Sequence, residues 1–117
     1  MRPCLLILLS SFVACVPTGS SKDFLIGAWF RSETISAGFT SFVRWEFRAD
    51  ETFLQTGYPP LTQQGRYRIL ESDNDLLKIR LFEQSGTFGT DDRDLMVQIN
   101  RARNEITLAG TVFPRAK

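Results

Sequence analysis

The sequence predicts an all-β domain: a small antiparallel up-and-down meander barrel of seven or eight short strands. Three observations predict it. From Ile26 onward apolar residues alternate with polar ones rather than recurring at helical spacing. The alternating runs are short and are separated by local turns carrying Gly, Pro, Asn and Asp. The domain is also small and has no disulfide to brace it, so closing the sheet removes edges that it cannot leave open.

The first run is Leu25-Ile26-Gly27-Ala28-Trp29-Phe30, with Leu25, Gly27 and Trp29 on one parity, and it fades near Ile35. Trp29 is expected to plug one end of the barrel, and Gly27 to let another stretch of backbone pass close by. Ser36-Ala37-Gly38 reads as a loop. Ser41 to Arg48 is the cleanest strand: Val43, Trp45 and Phe47 face one way, Arg44, Glu46 and Arg48 the other. Ala49 to Thr52 is a tight turn, and Phe53 starts a strand reaching about Thr56. Gly57-Tyr58-Pro59-Pro60 breaks the sheet, because proline cannot donate to a ladder.

In the next hairpin Gly65, Tyr67 and Ile69 oppose Arg66 and Arg68. Glu71 to Asp75 turns the chain, and Leu77, Ile79 and Leu81 then oppose Lys78 and Arg80. Ser85 to Asp92 reads as a longer loop, and Asp91 to Asp94 is the only stretch suggesting a helical turn. The last hairpin sets Leu95, Val97 and Ile99 inward, turns at Arg101 to Asn104, and runs from Ile106 to Phe113. Gly110 in that final strand marks a bulge or bend.

Residues 1–14 have the order of an export signal: Arg2, an apolar run from Leu5 to Val13, then the small residue Ala14. The run is shorter than the roughly 20 apolar residues that cross a bilayer. Phe12-Val13-Ala14-Cys15 resembles a bacterial lipobox. That resemblance implies cleavage before Cys15, acyl chains on its thiol and amine, and an anchor in the membrane, the outer one where the cell has one. Cleavage without lipid is the rival reading. A disulfide between Cys4 and Cys15 is the structural alternative, but Cys4 would leave with the leader. Val16 to Lys22 is small and polar with Pro and Gly, so residues 15–22 read as a tether and residues 23–117 as the domain.

The domain resembles the lipocalin-like, or calycin, barrels. Gly27-Ala28-Trp29 in the first strand carries part of the likeness. The rest lies in Trp45 to Phe53, similar to the F-x-x-D-G-T-F hairpin of small bacterial lipocalin-like lipoproteins, with Glu51 in place of the Gly. The resemblance implies that Arg115 of the last strand packs over Trp29. Fold-level likeness does not by itself carry function.

The chain has 14 basic and 13 acidic residues, and losing a leader with Arg2 would balance them, which gives no prior for nucleic acid. There is no histidine, no phosphate-binding glycine loop and no inward-facing acid, so the expectation is a protein that is not an enzyme and needs no cofactor or metal. Asp91, Asp92 and Asp94 lack the spaced ligands of a calcium loop. Arg44, Arg48, Arg66, Arg68, Lys78 and Arg80 read either as a basic stripe or as surface interleaved with acids. Trp45, Phe47, Phe53, Tyr67 and Ile69 line the expected interior. They form either a filled core or a pocket for a small hydrophobic ligand, with the filled core favoured. Two functions follow. One is a lipid-anchored cell-envelope barrel that binds a small molecule. The other is a filled barrel whose loops, Tyr58-Pro59-Pro60-Leu61 and Phe88-Gly89, dock on an envelope protein.

Overall fold

The computed structural model describes residues 21–36 and 38–116. The leader, Cys15 and most of the tether lie outside them. A short helix α1, Ser21–Leu25, is followed by eight strands: β1 Gly27–Ser36, β2 Phe39–Phe47, β3 Thr52–Tyr58, β4 Leu61–Asp73, β5 Leu76–Gly86, β6 Arg93–Asn100, β7 Glu105–Leu108 and β8 Thr111–Pro114. Each pairs antiparallel with the next, in the order β1 to β8, so the topology is the up-and-down meander read from the alternation. The sheet curls into a nearly closed barrel. Its eight-strand architecture is compatible with a lipocalin-like fold.

The period-two rows turn inward where the sequence places them. Trp29, Trp45, Phe47, Phe53, Tyr67, Leu77, Ile79, Leu81, Val97, Ile99, Ile106, Leu108 and Phe113 form one buried cluster. Trp45 stacks on Phe47 with ring centres 5.6 Å apart, and Phe47 meets Tyr67 edge-on at 5.2 Å. Aromatic pairs at these spacings add to the area that each side chain buries.

Several boundaries differ from the sequence reading. Ser21 and Lys22, read as tether, open α1. Leu25, read as strand, ends it and is fully buried. A helix of five residues is too short to show a 3.6-residue period. Asp91 to Asp94 forms no helical turn; β6 begins at Arg93. Gly57 does not break the sheet but pairs with both Val43 and Leu61, and the chain turns only at Pro59-Pro60. The run from Ile106 to Phe113 is two strands, because Ala109 and Gly110 take positive φ values of 49° and 88° and make a hairpin turn. Glu51, where the hairpin motif that this stretch resembles carries Gly, takes the left-handed conformation itself at φ 68°.

One irregularity matters for the interior. Between Gln64 paired with Ser85 and Arg66 paired with Phe82, β5 has one residue too many, and Glu83 at φ 51° is the residue bulged out. Opposite the bulge sits Gly65, where a Cβ would come within 2.9 Å of the Phe82 carbonyl. The bulge turns Gln84 inward, out of step with Leu81.

The outward cations are mostly paired. Glu46 accepts from Arg48 at 3.0 Å and Arg44 at 3.1 Å, and these two contacts hold its carboxyl below the usual value. Arg80 grips Asp94 with two hydrogen bonds of 2.8 and 3.2 Å. Arg66 reaches Glu83, and Arg66 and Arg68 both lie over the Phe82 ring. This is an interleaved surface rather than a basic stripe.

Candidate functional site

The two ends of the barrel are built differently. At the end where β1 starts, α1 lies across the opening and the interior behind it is filled. The Trp29 indole donates to the Leu25 carbonyl at 2.9 Å, joining the plug to its cover. Arg115 then fixes the arrangement. Its guanidinium lies 4.1 Å over the Trp29 ring and 4.8 Å over Phe24. It also donates to the Phe24 carbonyl at 2.8 Å, the Ile26 carbonyl at 3.2 Å and the Asn104 side chain at 2.9 Å. Desolvation in this position lowers its pKa. Gly27, at φ 139°, makes room for this guanidinium: a Cβ there would stand 2.5 Å from Arg115 Nη1. What passes close to Gly27 is therefore a side chain, not the backbone expected from the sequence. Lys22 with Glu51, Ser21 with the Asn74 carbonyl and Arg101 with Asp75 tie α1 and the neighbouring turns down around this end.

Closure of the barrel between β1 and β8 is short. Trp29 and Arg115 form an isolated bridge, and the Ala116 amide donates to the Ala28 carbonyl at 2.8 Å. Successive amides of a strand point to opposite neighbours, so the nitrogen that would make the next bond toward β1 is that of Pro114, which has no hydrogen. The seam opens from there. A groove of about 660 Å³ runs along its outer side past Phe30, Arg31, Ser32, Arg44 and Pro114.

The opposite end is open inside. A cavity of about 330 Å³ lies between Trp45, Leu95, Leu108 and Phe113, with Val43, Gln55, Phe88, Arg31 and Arg93 also on its walls. Of the five interior residues singled out from the sequence, Trp45 lines this cavity. Phe47, Phe53 and Tyr67 are all but fully buried in the filled half, and Ile69 packs against the core beside them. Tyr67 spans to the closed end, where its hydroxyl donates to the Arg48 carbonyl at 2.8 Å. Burial, with Glu51 and Asp50 nearby, pushes that hydroxyl's pKa up to about 12.

Sequence reading did not single out three glutamines. Gln55, Gln63 and Gln84 are the buried polar side chains among the described residues. Gln55 and Gln63 are cross-strand partners, in the row that also contains Trp45. Gln63 gives its amide hydrogens to Gln84 Oε1 at 3.2 Å and the Gly89 carbonyl at 2.9 Å, and its oxygen accepts from the Phe88 amide at 2.9 Å. Gln84 donates to the Asp91 carbonyl at 2.6 Å. These two side chains thus hold the loop between β5 and β6 against the wall. Gln55 differs: its Oε1 is buried and has no hydrogen-bond partner among the described residues. The signal that could have found the first two is their parity, since Gln55 follows Phe53 by two and Gln63 precedes Gly65 by two; Gln84 has the outward parity and turns in only through the bulge.

Compared with known proteins, this chain matches no family model, no curated protein and no solved structure.

Proposed function

We propose that this chain is a small-molecule-binding barrel that acts by holding a ligand in its open half. The cavity of about 330 Å³ is the observation that carries the reading. It lies at the small end of the range for ligand pockets and is walled by aromatic and aliphatic side chains, with polar groups in few places, as such pockets are. The plugged end supports the same reading, because Trp29, Arg115 and α1 close that end and leave entry to the opposite end of the barrel and the open seam. The leader pattern adds a lipid anchor at Cys15, which would hold the barrel at a bacterial envelope membrane, with residues 16–20 as its tether.

The test is native mass spectrometry of the full chain, extracted gently from the membrane of a cell that expresses it. The expected spectrum shows an acylated Cys15 terminus and a reproducible extra mass on the folded barrel. A bare barrel that also takes up no offered amphiphile would overturn the binding reading. An unmodified terminus would overturn the anchor alone.

A second reading has its own observation. Tyr58, the last residue of β3, is 48% exposed, and Phe88, on the loop after β5, is 54% exposed, both at the open end. Apolar side chains presented on one rim suit docking on an envelope protein. Truncating Tyr58 to Ser, which leaves the cavity walls untouched, separates the two readings: it would weaken protein capture while leaving uptake of a small molecule in place.

A further inference from the structure

The chemistry of the open half says more about the occupant than that it is apolar, and this step rests on the binding reading above. Gln55 lies at the floor. It is in register with Trp45 and two residues from Phe53, which belongs to the filled half. It is 8% exposed, and its Oε1 has no partner among the described residues, whereas the oxygens of Gln63 and Gln84 are both used. A buried carbonyl oxygen left unpaired is unfavourable, so this atom is placed for a donor from outside the chain. The rim carries the opposite kind of group. Arg31 is two residues closer to the mouth than Trp29, and Arg93 opens β6; both line the cavity. Arg31 donates one Nη1 hydrogen to the Val112 carbonyl at 3.4 Å and has a loose contact with Glu33 at 3.6 Å, which leaves its other donors for a ligand. Arg93 lies 5.9 Å over the Phe88 ring and has no ion-pair partner among the described residues. Between floor and rim the walls are Trp45, Leu95, Leu108 and Phe113.

We infer that the cavity takes a small amphiphilic anion that carries a hydrogen-bond donor at its apolar end. The acid group lies between Arg31 and Arg93, the apolar body lies along Trp45, Leu108 and Phe113, and a hydroxyl or N–H at the far end donates to Gln55 Oε1. Each part of the ligand answers a different wall. Guanidinium groups bind carboxylate through paired donors, while a buried acceptor selects for a ligand that can donate to it and discriminates against one that cannot.

Four eight-carbon probes separate these parts in calorimetric titrations of the full chain: octanoate, 8-hydroxyoctanoate, 1-octanol and 1,8-octanediol. The expected order places 8-hydroxyoctanoate first, tighter than octanoate by roughly three- to tenfold, the worth of one net hydrogen bond. Gln55→Leu should reverse that preference, and comparison of the four probes on the unaltered chain reads the same selectivity without any variant. Replacing Arg31 and Arg93 together by Gln should weaken both carboxylates and leave 1-octanol where it was. If octanoate and 8-hydroxyoctanoate bind equally and Gln55→Leu changes neither, the donor assignment falls while the binding reading stands. If 1-octanol binds as well as octanoate, and the arginine replacements change nothing, the acid-group assignment falls. If none of the four binds, both this inference and the binding reading fall.

Discussion

The Arg115 guanidinium lies 4.1 Å above the Trp29 ring and, from the same position, donates to the Phe24 and Ile26 carbonyls. One side chain from the last residues of the domain thereby seals the plug, the cover and the entry to β1. Removing it leaves half-buried acceptors without this donor as well as an uncovered indole. Arg115→Ala is expected to destabilise the barrel by roughly 2–4 kcal/mol, and Arg115→Lys, a single point donor, to recover only part of that. Gly27→Ala should act through the same contact by crowding Nη1, at roughly 1–3 kcal/mol. Urea unfolding of the three variants checks both. Hydrogen exchange at the Ala116 amide should quicken in all of them before any other sheet amide does.

Tyr67 gives the barrel a dependence on alkaline pH. Its hydroxyl pKa rises on folding from 10.0 to about 12, so the folded state holds the proton more tightly than the unfolded chain does. The resulting stability is fully present below pH 10 and is lost as pH rises from there through about 12. Tyr67→Phe should lose about 1 kcal/mol at neutral pH with the bond to the Arg48 carbonyl, and should lack this part of the alkaline decline. Thermal unfolding of both proteins across pH 8–11 reads the difference.

Glu51 occupies a turn position at φ 68°, where glycine has no steric penalty. Its carboxylate meets Lys22 at 3.0 Å, but both groups are well exposed and the pair is correspondingly weak. Glu51→Gly should therefore raise the melting temperature by about 2–5 °C, and Glu51→Ala, which keeps the strain and loses the pair, should lower it. A melting-temperature ranking with Ala above Gly would contradict this account of the turn.

Gln63 holds the loop between β5 and β6 with three hydrogen bonds, to Gln84, Gly89 and Phe88. Gln63→Leu fills the same space and leaves the Phe88 amide and the Gly89 carbonyl unpaired, at roughly 1–3 kcal/mol. Limited proteolysis should then cut first within residues 87–92, a segment that the unaltered chain protects.

The rows Val43-Trp45-Phe47 and Leu77-Ile79-Leu81 were legible because strict alternation has one reading. The same holds for the up-and-down order, since every connection is short. The likeness to lipocalin-like hairpins pointed to Arg115 over Trp29, a contact between residues 86 positions apart that alternation alone could not place. The glutamines were not legible. Gln at an inward position breaks the apolar row and reads as surface, and Gln84 faces inward only because Glu83 bulges out. A bulge depends on the partner strand's register, which no local pattern records. The split of the interior was hidden for a related reason. Sequence lists the aromatics on one face, but which of them fill the barrel and which line an opening depends on the seam, and the seam stops at Pro114.

The half-filled interior is the central claim, and methyl-resolved NMR during a titration with 1-octanol tests it most directly. The expected result is movement of the Leu95, Leu108 and Val43 methyl signals, which belong to the open half. The Leu77 and Ile79 signals, whose side chains are fully buried away from the cavity walls, should stay in place. Saturable shifts confined to the first group would establish a pocket above a packed floor. Shifts confined to Leu77 and Ile79, or none in either group at saturating probe, would contradict it.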